Sequence, residues 1–323
     1  MKNIAIIGFG NIGSKRYQAL KKIKQYEVKI IIDKKITNLK KIVKNKNIIF
    51  FEKYNDPKIK WSDINLCIIS VNTNFAFEIA RYILNKRIHI LIEKPAVNSF
   101  KKLNTLYQLA QNKKILFKIG FNFMHDDAFP IMQNIFKYNL GRIYKIRMDY
   151  FYGTNLSNNN SVGSLLDVGL HLIYLSEVIL PKSIPIDIKL NNFENKFYDE
   201  NGLIFLIKNL TTSELRFSFV EWENCFNIVI VGEKGIFKWE GLAKWKNQKI
   251  SFMNRVLPSG KPTLKFMKTF KKDNSFSNEL SYIFDLLTSN NAILKSNKWD
   301  YSILEKIKDL LKLKYKNHPY IKS

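Results

Sequence analysis

The stretch Asn3-Ile-Ala-Ile-Ile-Gly8-Phe-Gly10-Asn-Ile-Gly13 decides the fold of this chain. Its glycines fit the pattern G-x-G-x-x-G, which here follows an apolar, strand-like run at residues 3–7 and opens a helical segment at residues 14–24. Gly8 permits the tight turn, Gly10 lets the backbone approach a pyrophosphate, and Gly13 lets helix and strand pack closely. The free N–H groups at the start of the helix then attract phosphate. This predicts a Rossmann-type domain whose dinucleotide contacts Gly8, Gly10, Asn11, Ile12 and Gly13.

Asp33 ends the next strand-like run, 20 residues beyond Gly13. A carboxylate at this place accepts hydrogen bonds from the adenosine ribose and repels a 2′-phosphate, so it favours NAD. Lys34 and Lys35 follow at once, and either ammonium could pair with such a phosphate. We therefore predict NAD as the cofactor, with NADP left open, and place Asp33 and Lys34 in the cofactor site.

Length and composition indicate a globular protein of two domains. The chain has 323 residues, of which 46% are hydrophobic and 14% aromatic, too many for a disordered protein. No apolar run approaches the roughly 20 residues that cross a bilayer, and no signal peptide is recognisable. We expect a cytoplasmic protein that does not bind membranes. Cys67 and Cys225 lie far apart in strand-like text, so buried, reduced thiols are expected.

The formal net charge of +26 raises the question of nucleic-acid binding. The lysines are spread along the whole chain, however, and no segment combines clustered basic residues with interleaved aromatic ones. We therefore expect no nucleic-acid partner. An anionic small molecule, such as a nucleotide-linked sugar, would be attracted by the same field.

The sequence changes character near Gly120. Before it, strand-like runs (residues 3–7, 28–32, 48–51, 65–70, 88–92 and 115–120) alternate with helical segments (14–24, 39–44, 75–85 and 100–111), as in a doubly wound parallel sheet. After it, strands follow one another (142–152, 184–193, 202–209, 211–220, 226–232 and 235–239), and residues 232–235 read as a hairpin turn. Helices are expected at 128–138, 165–180, 276–287 and 303–315. We predict an α/β Rossmann domain over residues 1–120 and an α+β domain with a large, mostly antiparallel open sheet over residues 121–323.

Lys94 stands at the carboxyl end of a predicted parallel strand, where open α/β sheets present their ligands. A lone lysine there is commonly a solvated strand end, but Pro95 fixes the backbone after it, and a cis bond would aim the side chain. Lys94 can hydrogen-bond a substrate hydroxyl and lower the pKa of that hydroxyl as hydride leaves the carbon.

Asp167 and His171 are four residues apart in a helical segment, so they share one helix face. A carboxylate beside an imidazole orients it and stabilises its protonated form, which suits a general base. A helix-capping aspartate and a core histidine are the alternative interpretation of this pair alone. His89, within a strand, and His318, in the tail, are expected to be structural, and no third ligand for a metal ion is evident.

At these residues the sequence resembles the Gfo/Idh/MocA family, which includes glucose–fructose oxidoreductase and inositol dehydrogenases. The resemblance covers nearly the whole chain and rests on the order and spacing of short motifs: the glycine turn with Asp33, Glu93-Lys94-Pro95, Gly120-Phe121-Asn122, residues 141–143, 167–171 and 230–235, and Glu279-Leu280.

The resemblance implies that Lys94, Asp167 and His171 are catalytic and that Asn122 contacts the substrate or the nicotinamide. It also adds Ser70, Asn72 and Glu93 to the cofactor site. The family's second domain often forms homodimers or homotetramers through the exposed face of its sheet. Its substrates are mostly sugars, cyclitols and nucleotide sugars.

Three positions depart from the family pattern. Many relatives carry Arg near position 124, Asp at position 174 and His at position 76, where this chain has Met124, Tyr174 and Ala76. None of these changes removes the acid–base residues, but with Met124 and Tyr174 the family pattern does not determine the substrate specificity. The polar loop at residues 155–161 is expected to cover the pocket in its own way.

The sequence thus predicts an NAD(P)-dependent oxidoreductase that transfers hydride between nicotinamide and a secondary carbinol of a sugar, cyclitol or nucleotide sugar. Sugar biosynthesis for surface polysaccharides is one setting for it. The predicted substrate contacts are Lys94, Asn122, Asp167 and His171. Two alternatives stay open: a redox-neutral, NAD-dependent elimination or hydrolysis of a sugar, and a non-catalytic, NAD(P)-binding regulatory protein.

Overall fold

The computed structural model describes residues 1–36, 39, 43–153, 162–194 and 199–322. These residues form two compact units, the first made of residues 1–122, 276–308 and 317–323, and the second of residues 123–275 and 309–316. Residues 276–308 therefore belong to the first unit although they lie inside the range predicted for the second domain. Most of the helix predicted at 39–44, and all of the loop predicted at 155–161, fall outside the described residues.

The first unit is built on a six-stranded sheet in which every neighbouring pair of strands is parallel. Its elements begin with β1 (Lys2–Ile7), α1 (Asn11–Leu20), β2 (Tyr26–Ile32), β3 (Ile49–Phe51), β4 (Leu66–Ile69), α2 (Thr73–Asn85), β5 (His89–Glu93), α3 (Phe100–Lys113) and β6 (Phe117–Gly120). The strand order is β3-β2-β1-β4-β5-β6. The direction of winding therefore reverses between β1 and β4, the place where such sheets bind ligands beyond their carboxyl ends.

The second unit is built on an eight-stranded sheet. Its elements are α4 (Ala128–Tyr138), β7 (Ile143–Phe151), α5 (Leu170–Ile179), β8 (Ile184–Asn191), β9 (Asn201–Lys208), β10 (Thr211–Ser218), β11 (Cys225–Gly232), β12 (Gly235–Glu240), β13 (Gln248–Val256) and β14 (Gly260–Phe270). The order is β14-β13-β12-β11-β7-β10-β9-β8, and only β7 and β10 pair in parallel among these strands. The predicted fold class is confirmed for both sheets, and β11 and β12 form the predicted hairpin.

The C-terminal helices are α6 (Ser275–Leu286), α7 (Asn290–Lys314) and α8 (Pro319–Lys322). Leu280 and Ile283 of α6 pack into the same buried cluster as Ile4 and Ile31 of the parallel sheet. The Tyr26 hydroxyl also donates a hydrogen bond of 2.9 Å to the Leu280 carbonyl oxygen. This packing explains why α6 belongs to the first unit.

The prediction was wrong in two places of the second half. It missed β13 and β14, and it began the last long helix at residue 303 instead of Asn290. β14 is an edge strand that is exposed over most of its length and contains Pro262, so it lacks the alternation of buried and exposed residues by which strands are predicted. Cys67 is buried and Cys225 only partly buried, and both thiols are free. No helix of the described ranges is long and apolar enough to cross a membrane.

Candidate functional site

A cleft of about 700 Å³ opens at the carboxyl ends of β1, β2 and β4. Six of the residues predicted to bind the cofactor line it: Gly8, Gly10, Asp33, Lys34, Ser70 and Asn72. The sequence did not single out Lys53, Tyr54 and Asn55, which also line the cleft. Their position just after β3 could have predicted their place in the cleft, because the carboxyl ends of neighbouring parallel strands meet at one edge of the sheet.

The glycines of the turn fit the approach of a pyrophosphate. Gly8 has φ +84°, and a Cβ there would lie 2.5 Å from the Ser70 carbonyl oxygen. A Cβ on Gly13 would lie 2.1 Å from the Gly8 carbonyl oxygen, so this glycine is required for packing. A Cβ on Gly10 would meet no atom within 4 Å, so the absence of a side chain there keeps the cleft open rather than serving the fold.

Two buried hydroxyl groups at the cleft also suit a ligand. Ser70 Oγ, in the cleft lining, and Thr73 Oγ1, in the first turn of α2, have no hydrogen-bond partner in the described part of the chain. Buried polar atoms are normally paired, so such atoms beside a cleft indicate a bound partner. The Asn72 side chain is committed elsewhere, because it accepts a 3.0 Å hydrogen bond from the Asn74 N–H and caps α2.

Asp33 is held rigidly at the edge of this cleft. Its Oδ2 accepts a 2.7 Å hydrogen bond from the Phe9 N–H, inside the glycine turn, and its Oδ1 accepts one of 2.9 Å from the Lys35 N–H. Each carboxylate oxygen keeps a second lone pair for a further donor. The geometry therefore presents a fixed, negatively charged acceptor where the sequence predicted the ribose.

The other predicted cofactor residues lie outside the lining of the cleft. Asn11, Ile12 and Gly13 form the first turn of α1, whose N–H groups begin the helix. Glu93 is mostly buried, and its Oε1 accepts a 2.7 Å hydrogen bond from Arg16 Nε of α1. The Arg16 guanidinium also pairs with Glu279 of α6.

Lys94 follows Glu93 at the end of β5, and the Lys94–Pro95 peptide bond is cis. Lys94 and Asn122 belong to the first unit, whereas Asp167 and His171 belong to the second. Lys94 and Asn122 follow the ends of the neighbouring strands β5 and β6, which pair at Glu93 and Gly120, and Asp167 and His171 lie on one helical segment. The roles of these four residues stay predictions.

Asp167 and His171 lie on a helical turn that is anchored at its start. Residues Leu165–Gly169 form a π-helical turn that continues into α5, and such turns are frequent at functional sites. Asp199 Oδ2 accepts hydrogen bonds of 2.6 Å from Ser164 Oγ and 2.7 Å from the Leu165 N–H. These bonds satisfy donors that the start of a helix leaves open, so they fix the turn that carries both side chains.

Aromatic rings surround His171, which is 5% exposed. Phe123 stacks on the imidazole with ring centroids 4.3 Å apart and an interplanar angle of 19°, and Tyr150 meets it edge-on at 6.0 Å. The Tyr150 hydroxyl is hydrogen-bonded to Tyr152 and to Lys244. These rings shield most of the imidazole from solvent.

The three departures from the family pattern occupy different environments. Ala76 of α2 and Tyr174 of α5 are buried in the cores of their units, and Met124 is half-buried in the turn after Asn122. Among the described residues, no group of three or more His, Cys, Asp or Glu side chains is placed to hold a metal ion.

Comparison with known proteins agrees with this geometry. Residues 2–121 match the model of an oxidoreductase family with an NAD-binding Rossmann fold, Gfo/Idh/MocA. The chain is also 26% identical over 269 residues to glucose-6-phosphate 3-dehydrogenase of Bacillus subtilis (strain 168), and the alignment covers 74% of each protein.

Solved structures share the fold at lower identity. The 3-ketoreductase KijD10 of Actinomadura kijaniata, solved with NADP and TDP-benzene, has a TM-score of 0.78 at 15% identity, with 94% of this chain and 96% of that chain covered. UDP-N-acetylglucosamine 3-dehydrogenase of Acidithiobacillus ferrooxidans has a TM-score of 0.73 at 14% identity, with 96% and 98% covered. The glycine cleft with its fixed Asp33 and the match over residues 2–121 identify this part of the chain as an NAD-binding Rossmann domain of the Gfo/Idh/MocA oxidoreductase family.

Proposed function

We propose that this protein oxidises the secondary hydroxyl at position 3 of a hexose that carries a phosphate or a nucleotide, or reduces the corresponding 3-ketone, with NAD as the cofactor. The observation that carries the proposal is the glycine-lined cleft with its fixed Asp33, in a chain whose relatives are named for position 3 of sugars. Phosphorylated sugars are anionic, and the net charge of +26 favours their approach.

In the proposed reaction, His171, Asp167 and Lys94 each have a separate role. The bound nicotinamide supplies the acceptor for hydride when a carbinol is oxidised. His171 takes the proton of the substrate hydroxyl as the C–H bond breaks, and Asp167 stabilises the imidazolium that forms. Lys94 donates a hydrogen bond to the same oxygen and so stabilises its developing negative charge. In the reduction each proton moves the opposite way.

NAD is favoured over NADP by the rigidity of Asp33. Its carboxylate is held by the N–H groups of Phe9 and Lys35, so it cannot turn away from a 2′-phosphate. Lys34 and Lys53 line the same cleft and offset part of that repulsion. We expect the protein to bind NAD at least about tenfold more tightly than NADP in calorimetric titrations, which corresponds to about 1.4 kcal/mol.

The direct test is turnover of glucose 6-phosphate and of UDP-N-acetylglucosamine, each with NAD or NADP, followed by cofactor absorbance. We expect reduced cofactor to accumulate with at least one of these sugars. Sugar consumption without accumulation of reduced cofactor would instead show a redox-neutral reaction. Binding of NAD without any turnover would show a regulatory protein.

The acid–base assignment is tested by His171→Asn and Lys94→Met. We expect turnover to fall by about 10²–10⁴-fold in each variant, the range of positioned acid–base groups, while the NAD affinity stays within about twofold. Lys101→Met, at an exposed position of α3, is the matched control. Wild-type turnover in both active-site variants would exclude this mechanism.

We also propose that the protein forms a homodimer or homotetramer through the sheet of the second unit. Large apolar side chains are exposed on both edge strands, among them Ile184 (65%) and Ile186 (55%) of β8 and Leu264 (59%) and Met267 (56%) of β14. Exposed apolar patches of this kind are typical of protein interfaces. Light scattering after size exclusion measures the mass, and a monomer would refute the proposal.

A further inference from the structure

Three polar groups of the second unit meet in a hydrogen-bonded triangle. The Tyr150 and Tyr152 oxygens are 2.7 Å apart, and Lys244 Nζ lies 3.0 Å from the first and 2.6 Å from the second. Tyr150 and Tyr152 flank the end of β7, while Lys244 lies in the turn between β12 and β13.

The triangle contains more donors than acceptors. Each phenol has one O–H donor and one acceptor oxygen, whereas the ammonium has three N–H donors and no lone pair. Lys244 donates to both oxygens, and one phenol donates to the other. The second phenolic hydrogen must therefore be donated to a group outside the triangle.

Burial decides which phenol keeps that hydrogen. Tyr150 is 2% exposed, so an unpaired O–H there would carry the full cost of desolvation. Tyr152 is partly exposed and Lys244 exposed. If Tyr150 donates to Tyr152, no buried donor is left without a partner. The hydroxyl hydrogen that is available to a group outside the triangle is then that of Tyr152. Burial raises the pKa of Tyr152 to about 12, so this hydroxyl stays protonated at neutral pH.

The triangle adjoins the predicted catalytic residues of the same unit. The ring of Phe123, which stacks on His171, lies 5.6 Å from Lys244 Nζ. The Asp167 carboxylate is near enough to contribute to the raised pKa of both phenols. The Trp245 ring lies 5.1 Å from the same ammonium and presents an aromatic surface beside the donors.

We propose that Tyr152 and Lys244 form a sugar-binding subsite, in which both donate hydrogen bonds to one oxygen of the substrate while Trp245 packs against its C–H groups. Sugars offer this combination of acceptor oxygens and apolar C–H patches, which an aromatic ring with adjacent donors matches. The subsite contributes binding energy for the sugar and so determines which sugars are accepted. This inference rests on the proposed function, because it assumes a sugar substrate.

The test uses Tyr152→Phe and Lys244→Met in the full-length protein with NAD and glucose 6-phosphate or UDP-N-acetylglucosamine. We expect KM to rise by about tenfold to a hundredfold, the effect of losing a hydrogen bond to a charged or well-placed donor. Turnover at saturation, the NAD affinity and the unfolding midpoint should change little. Lys244→Arg should recover part of the loss. Tyr144→Phe, on the same strand, and Lys246→Met, in the same turn, are matched controls.

Substrate analogues locate the oxygen and separate direct contact from a structural effect. Each variant is measured with 1-deoxy, 2-deoxy and 4-deoxy analogues of glucose 6-phosphate and with glucose itself. The loss caused by the variants should vanish for the analogue that lacks the contacted oxygen, which is a hydroxyl in the first three cases and the phosphate in the last.

Each outcome has a distinct meaning. Variants with the KM of the wild type, or an equal loss with every analogue, would overturn the inference while leaving the proposed function intact. A wild-type protein that neither binds nor oxidises any of these sugars would overturn both. A loss that vanishes for one analogue supports the subsite.

Discussion

Gly10 and Gly13 stand in the same turn, yet replacing them by alanine should harm different properties of the protein. A Cβ at Gly13 would lie 2.1 Å from the Gly8 carbonyl oxygen, whereas a Cβ at Gly10 would meet nothing within 4 Å. Gly10 also has φ −72° and ψ −157°, an extended conformation outside the left-handed region, so it does not require glycine for a positive φ. Gly13→Ala should therefore damage the fold, and Gly10→Ala should damage cofactor binding.

The magnitudes follow from these distances. The methyl group of Gly13→Ala collides with backbone, so α1 must move away from β1, and overpacking of this kind costs about 1–3 kcal/mol or more. Gly10→Ala should change the free energy of unfolding by no more than about 1 kcal/mol, the range for an alanine at the first helical cap. Its methyl group projects where the pyrophosphate approaches, so the NAD affinity should fall at least about tenfold, or 1.4 kcal/mol.

Denaturant unfolding and calorimetric titration with NAD measure the two properties separately. The two variants are each other's control, because they add the same methyl group three residues apart. NAD affinity at the wild-type level in Gly10→Ala would show that the dinucleotide does not approach this turn. Unfolding of Gly13→Ala at the wild-type denaturant concentration would refute the packing argument.

Two further predictions concern buried charges. Burial raises the pKa of Asp126 to about 6, so this group stabilises the fold most below about pH 4, and that contribution is lost as the pH rises through 6. Asp126→Asn keeps the Oδ1 acceptor for the Ala128 N–H and Gln248, and it should raise the free energy of unfolding at pH 8 by up to about 3 kcal/mol, at about 1.4 kcal/mol per pKa unit. If the free energies of unfolding of Asp126→Asn and the wild type differed by the same amount at pH 4 and at pH 8, this prediction would be contradicted. Lys118 and Asp300 form a buried ion pair of 2.7 Å, so Asp300→Ala should cost about 3–5 kcal/mol in denaturant unfolding. The double variant with Lys118→Met should recover most of it, and failure to do so would show that the lost Ile119 N–H bond dominates.

The parallel sheet could be predicted because its strands are short, mostly apolar runs with turn or helix signals on both sides. β4, for example, reads Leu-Cys-Ile-Ile and is fully buried. β14 could not be predicted, because an edge strand needs no apolar face and its lysines and proline resemble a loop. The start of α7 was missed because its first turns carry few apolar residues, of which Ile293 packs into the core.

The cofactor-binding residues could also be predicted from the sequence, because the glycine turn and Asp33 are close in sequence and their spacing is typical of one βαβ unit. The surroundings of His171 could not be predicted from the sequence. Phe123 and Tyr150, which contact its ring, and Lys244, which is hydrogen-bonded to Tyr150, come from three separate elements. Each of these residues alone has the pattern of a core or surface position. Only the tertiary packing of these elements brings them to one place.

The ion pairs of Arg16 show that a residue predicted to bind the cofactor also has a structural role. Glu93 was assigned to the cofactor site on its motif, but in the structure it accepts a hydrogen bond from Arg16, which is fully buried and also pairs with Glu279 of α6. A buried guanidinium is stable only when its charge is compensated, and two carboxylates do this here. Arg16 lies one turn beyond the glycine turn, and Glu93 immediately precedes Lys94. The same ion pairs therefore fix the helix that is predicted to face the phosphates and the strand end that carries the proposed catalytic lysine. The last third of the chain supplies Glu279 and thereby helps to complete the first unit, a structural role that the motif Glu279-Leu280 does not reveal by itself.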